Sequence, residues 1–196
     1  SAASTDCSSA DVLCVGLVTD TGKVDDKSFN QAAWEGVEAA KAALGAQTKF
    51  IETTDAKDYA TNIKQFTDAK YDVIVTVGFL MAEATVKAAG DYPTTKFIGV
   101  DQFQSAEVAN LTGLTFPEDQ AGYAVGYLAG LMTKTNKIGT VLGLEIPPVQ
   151  KYAKGYEAGA KAANPKVTVT NVYHPAGDTA FNDPVWGAGE AKKQLS

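Results

Sequence analysis

The chain is 196 residues long, 45% apolar and 20% charged, with a net charge of −6 at neutral pH. That length allows one large domain or two small ones with a real core, and the acidic balance argues against nucleic acid or an anionic membrane surface as a partner. The basic residues are all Lys. Without Arg, bidentate recognition of phosphate or carboxylate is disfavoured and a neutral polar ligand fits better, although compositional drift towards Lys accounts for the same fact.

Residues 1–11 form a Ser/Ala/Thr-rich lead, read as a flexible tether. Cys7 lies in it and Cys14 in the segment after it. The pair is compatible with a disulfide, which implies an oxidising compartment, and equally with a buried free Cys14 beside a mobile Cys7. Residues 12–18 (VLCVGLV) predict a strand. A polar loop follows, then a helix over 28–44 that opens on Ser28 and Gln31, the S-x-x-Q spacing of a capping box. In that helix Phe29, Ala33, Val37, Ala40 and Leu44 share one face. Residues 48–52 (TKFIE) predict a short strand and 59–69 a helix carrying Tyr59, Ile63 and Phe66 at helical spacing. Residues 72–77 (DVIVTV) and 96–100 (KFIGV), flanking a helix over 81–89, are continuous apolar runs of the buried parallel kind. Residues 109–116 predict a fifth, more alternating strand.

A second series begins with a helix over 120–133, rich in small residues that permit close packing. A strand over 137–143, a helix over 149–163, a strand over 167–173 and a helix over 183–195 complete it. Repeated βαβ units imply α/β architecture, with parallel sheets and helices on both faces. The expected division is a lobe over 12–116, a crossover near 116–117, and the first part of a second lobe over 117–196. Two strands leave that second lobe incomplete. No apolar run is long enough to span a bilayer.

Open α/β sheets bind ligands at the carboxyl ends of their strands. Those ends carry Asp20 on the first strand, Gly78 and Phe79 on the third, and Asp101 and Gln102 on the fourth, and a parallel sheet brings the three tips to one rim. The two aspartates offer acceptors to a ligand rich in hydroxyl or amino groups; solvation, or capping of the next helix, is the plain alternative. Phe29 suits stacking on a planar ligand or a place in the core, and Asn30 beside it offers a donor and an acceptor. Asp25 and Asp26 complement a helix dipole better than they bind a metal. His174, the only histidine, reads as an exposed loop residue, with no Ser or Cys placed as its nucleophilic partner. No G-x-S-x-G, Walker or G-x-G-x-x-G motif is present, so no catalytic residue and no cofactor is expected.

The string TDTGKVDDKSFNQAAWEG at 19–36 resembles the opening signature of the basic membrane protein (BMP, PnrA-like) family of ABC-transporter substrate-binding lipoproteins. The likeness continues through TVGFLMAEAT, KFIGVDQ, TFPEDQAGYAVGYLAG and GLEIPPVQKYAKGYEAGAKAANP, in order, over nearly the whole chain from Val12. The resemblance implies a type I periplasmic-binding-protein fold: two Rossmann-like parallel-sheet lobes closing over a purine nucleoside or similar neutral riboside. It implies no enzymatic activity and no metal. Its cleft residues fall on Asp20, Phe29, Asn30 and Asp101, with Phe181 as the aromatic of the second lobe and Gly78 and Phe79 lining the same cleft. The implied partners are the small solute and the subunits of an ABC permease, and the implied location is extracytoplasmic. Membrane contact would run only through a lipid anchor of the native precursor, for which Cys7 is a poor candidate because six residues precede it. Family members continue past Ser196 with further ligand-contacting residues. A ligand-sensing regulatory core of the same fold would need a DNA-binding segment ahead of Val12, and a nucleoside-processing enzyme a metal cluster or an activated base.

Overall fold

The computed structural model describes residues 6–104, 106–177 and 179–195. They group into two compact units, Ser1–Thr115 and Phe116–Ser196.

The first unit alternates strand and helix: β1 (Cys14–Thr21), α1 (Phe29–Leu44), β2 (Gln47–Thr53), α2 (Tyr59–Asp68), β3 (Val73–Val77), α3 (Ala82–Asp91), β4 (Lys96–Val100) and β5 (Leu111–Leu114). The strands form one parallel sheet in the order β2-β1-β3-β4-β5. Because side chains alternate across a strand, β1 and β3 each feed two cores. Val18 and Ile74 join Ile63, Phe66, Met81 and Phe97 under α2 and α3. Val15, Leu17, Val75 and Val77 join Val37 and Val100 under α1. Burial on both faces is what the unbroken apolar runs encode. The strand order reverses at β1, so the crevice between the carboxyl ends of β1 and β3 is the sheet's topological switch point.

Two local expectations are corrected. Ser28 makes no side-chain cap to α1, and Gln31 donates to Glu35 instead. Asp26 performs the capping: its Oδ1 accepts from the backbone N–H of Ser28 and Gln31, and its Oδ2 from that of Asn30. A carboxylate two residues upstream of the cap outcompetes a hydroxyl because it is charged and reaches three donors at the positive helix end. The fifth strand pairs over only four residues, Leu111–Leu114.

Cys7 and Cys14 form a disulfide, with Cα atoms 5.7 Å apart. Residues 6–11 make turns that it ties back to β1, while residues 1–5 of the expected tether lie outside the described residues. Closing so short a loop stabilises by about 2 kcal/mol on chain-entropy grounds.

The second unit holds α4 (Glu118–Met132), β6 (Lys137–Leu142), α5 (Pro147–Ala163), β7 (Thr168–Tyr173) and α6 (Pro184–Leu195), with β6 and β7 paired in parallel. Here α4 and α5 meet through their backbones. A Cβ on Gly126 would overlap the carbonyl oxygen of Tyr156, and one on Gly159 would overlap that of Tyr123. Among the described residues no helix is long and apolar enough to cross a membrane.

Candidate ligand-binding site

The strand tips of the first unit are built from the polar loop after β1. The β1–β2 register shifts between Val18 and Thr21. There the Thr19 hydroxyl donates to the Gly22 carbonyl at 3.0 Å and accepts from the Thr53 N–H at 3.0 Å, which ties the loop to β2. Asp20 stands inside this irregularity, half-buried. Its Oδ1 accepts from Asn30 Nδ2 at 3.0 Å. The same Nδ2 donates to the Lys23 carbonyl at 3.3 Å. A carbonyl can only accept, and an ionised carboxylate likewise, so the amide nitrogen of Asn30 must face them and its Oδ1 is left as an acceptor. Asn30 is 2% exposed, and among the described residues no donor reaches that Oδ1.

Burial pushes the Asp20 carboxyl above the ordinary aspartate range. The bond from Asn30 works against that rise and the nearby charge of Asp26 adds to it. The Asp26 cap also fixes Asn30, since it holds that residue's backbone N–H at 3.1 Å. The loop therefore carries a chain of support from Asp26 through Asn30 to Asp20.

Gly78 meets Asp20 from the β3 side. Its φ is +97°, and a Cβ there would lie 2.8 Å from Asp20 Oδ2. Any side chain would be strained and would displace the carboxylate, so this position needs glycine. Its N–H donates to the Val100 carbonyl of β4 at 2.9 Å. Phe79 follows in a single 3-10 turn, half-buried. Asp101 extends β4 in the left-handed region, at φ +60°, and donates its N–H to the Leu114 carbonyl at 2.9 Å. The structure thus joins Asp20, Asn30 and Gly78 by direct contact and sets Phe79 and Asp101 on the neighbouring tips. Phe29 opens α1 next to Asn30, 47% exposed, too open for the core role its helical register allowed.

In the second unit Phe181 is half exposed, and its ring lies against Gly143 at the end of β6, where a Cβ would collide with it. His174, just past the end of β7, is not the exposed loop residue its sequence context suggested. Its side chain is only 9% exposed. Its N–H donates to the Leu142 and Gly143 carbonyls, its ring meets Trp186 edge-on at 4.5 Å, and its Nε2 lies 3.4 Å from Asp183. The backbone N–H of Trp186 holds the Asp183 carboxyl below its ordinary range, with smaller help from His174. Asp183 directly before Pro184 was the legible sign of a helix cap there; the ring contact, made across twelve residues, left no sequence mark. Asp26 spends both oxygens on helix N–H groups, the helix-complementing role expected of it.

Residues 14–184 match the family model described as Bmp, ABC transporter substrate-binding protein PnrA-like. Among curated proteins, the chain is 33% identical to the ABC transporter nucleoside-binding protein BmpA of Lactococcus lactis, over 82% of this chain and 47% of that protein. It is 34% identical to basic membrane protein A of Borreliella burgdorferi, over 81% of this chain and 47% of that one. The chain thus spans about half the length of the curated relatives it matches. A crystal structure of an ABC transporter solute-binding protein from Aeropyrum pernix superposes with a TM-score of 0.81 at 27% identity, over 93% of this chain and 52% of that one. The fold is that of the type I periplasmic-binding proteins, and the matched proteins bind substrates rather than transform them. The switch-point crevice, the motif series and these likenesses agree: the chain belongs to the PnrA-like basic membrane protein family of ABC transporter substrate-binding proteins.

Proposed function

We propose that the protein is the extracytoplasmic receptor of an ABC importer and that its ligand is a purine nucleoside or a closely similar neutral riboside. The observation that carries the ligand class is the Asp20–Asn30–Gly78 contact. It offers a half-buried carboxylate acceptor whose orientation is fixed by Asn30, beside bare Gly78, and the sequence supplies no Arg to neutralise an anion there. Such a site favours a neutral ligand that donates hydrogen bonds. In this reading Asp101 receives the ribose hydroxyls, Phe29 stacks on the base, and Gly78 and Phe79 line the approach. Ligand binding then presents the surface the permease recognises, a binding mechanism with no bond-making. The nucleoside-binding description of the Lactococcus lactis relative supports the same cargo. A lipid anchor on the native precursor would keep the receptor at the membrane surface.

A thermal-shift panel of purine and pyrimidine nucleosides, free bases and sugars on the complete protein tests this. A ligand at about 100 times its Kd adds about 2.7 kcal/mol, several degrees of Tm. A shift with purine nucleosides alone supports the reading, and a shift with sugars alone replaces the cargo. Asp101→Ala should weaken nucleoside binding by about 1–3 kcal/mol for each ligand hydroxyl left without its acceptor. Unchanged affinity in calorimetry would remove Asp101 from the site.

A further inference from the structure

We propose that Gln102 is a positioning residue that clamps the tips of β3 and β4 together, holding Gly78 and Asp101 in the geometry the ligand meets. The inference rests on the strand-tip reading of the site. Gln102 is completely buried although its side chain is a polar amide. Its Nε2 donates to the Gly78 carbonyl at 3.0 Å and to the Thr76 hydroxyl at 3.2 Å. Thr76 is itself bonded to the Thr85 hydroxyl of α3 at 2.8 Å. The amide of a residue beyond β4 is thereby fastened to one point on β3 and to one just past its end.

Three further features fit a clamp and do not fit simple space filling. Gly78 is held at both ends: its N–H donates to Val100 of β4 and its carbonyl accepts from Gln102, which pins a backbone at φ +97° beside the Asp20 carboxylate. Asp101 adopts a left-handed φ of +60°, and this turn carries the chain from β4 so that Gln102 lies back beneath the tips. The space for Gln102 is also reserved by bare backbone. A Cβ on Gly99 would overlap its amide oxygen and one on Gly113 its backbone carbonyl. Among the described residues no donor reaches that amide oxygen. An unpaired buried acceptor is costly, and an apolar residue of the same size would avoid the cost, so the two donated bonds are what the amide supplies.

The test is amide hydrogen exchange on the complete protein, free and with guanosine, in Gln102→Met and Thr76→Val variants. The Met side chain keeps the length and removes both donated bonds. Exchange at the Gly78 and Asp101 amides should accelerate at least tenfold in Gln102→Met, and less in Thr76→Val, while the Ile74 and Ala89 amides keep their protection. Guanosine affinity should fall about tenfold in the folded Gln102→Met protein. Unchanged exchange at Gly78 and Asp101 overturns the proposal, as does acceleration spread evenly over the sheet. If Gln102→Met does not fold, Thr76→Val decides by the same exchange criterion. A parent protein that binds no purine nucleoside defeats the nucleoside reading, while the exchange of its free form still decides the clamp.

Discussion

The β1–α2 contact of the first unit and the α4–α5 contact of the second use glycine against different neighbours. In the first unit Gly16 of β1 lies under a side chain: a Cβ there would stand 2.7 Å from the ring of Phe66. In the second unit Gly126 of α4 lies under main chain, the carbonyl of Tyr156. A ring can be replaced or can tilt, whereas a carbonyl in a helix is held by its own hydrogen bond. The β1–α2 contact is consequently one of side-chain packing, beside two apolar clusters, and the α4–α5 contact one of backbone approach. The first contact thus tolerates repacking and the second does not.

The two tryptophans allow the comparison to be tested unit by unit, since Trp34 packs on Phe50 in the first and Trp186 on His174 in the second. Single-tryptophan variants followed in urea give separate unfolding curves. The largest expected effect is Phe66→Ala, which empties a 2%-exposed site and should cost about 3–5 kcal/mol in the Trp34 curve. Gly126→Ala should cost about 1–3 kcal/mol through overpacking, read from Trp186. Trimming the Tyr156 ring should not restore it, because the obstacle is a carbonyl. Gly16→Ala should cost about as much on its own. With Phe66→Leu the penalty should shrink, a coupling that a double-mutant cycle measures. Equal rescue in both units would erase the distinction.

The smallest effect concerns the site. A folded-state pKa above the unfolded value means that the native protein holds the Asp20 proton more tightly. The stabilisation this gives is complete below the unfolded value, about 4, and is lost as pH rises through the folded one. Asp20→Asn keeps an oxygen for Asn30 and removes the titration. Its Tm relative to the parent should therefore climb as pH rises from about 4 towards neutrality, while nucleoside affinity falls. A pH-independent difference in Tm would show that Asp20 titrates normally in the folded protein.

Much of the first unit was legible because its strands are buried on both faces, which writes an unbroken apolar run into β1, β3 and β4. The tips Asp20, Gly78 and Asp101 followed from the rule that such sheets bind ligands at their carboxyl ends. Local pattern misled at Ser28, where the S-x-x-Q spacing was present and the carboxylate of Asp26 took the helix donors. It misled again at His174, where Trp186 supplied the burial. The Cys7–Cys14 pair stayed open because spacing does not say whether the lead folds back along the strand.

The sequence by itself determined the alternation of strands and helices, the acidic Arg-free character, and the membership that its motif series carries. Those depend on periodicity and composition, which are local. Only the tertiary structure decided that the amide nitrogen of Asn30 is committed, that Gly78 must be bare beside Asp20, and that Gln102 reaches back to β3. Each of these is a contact between residues ten to fifty-eight positions apart. Such contacts depend on the strand order β2-β1-β3-β4-β5, and no window along the chain contains that order.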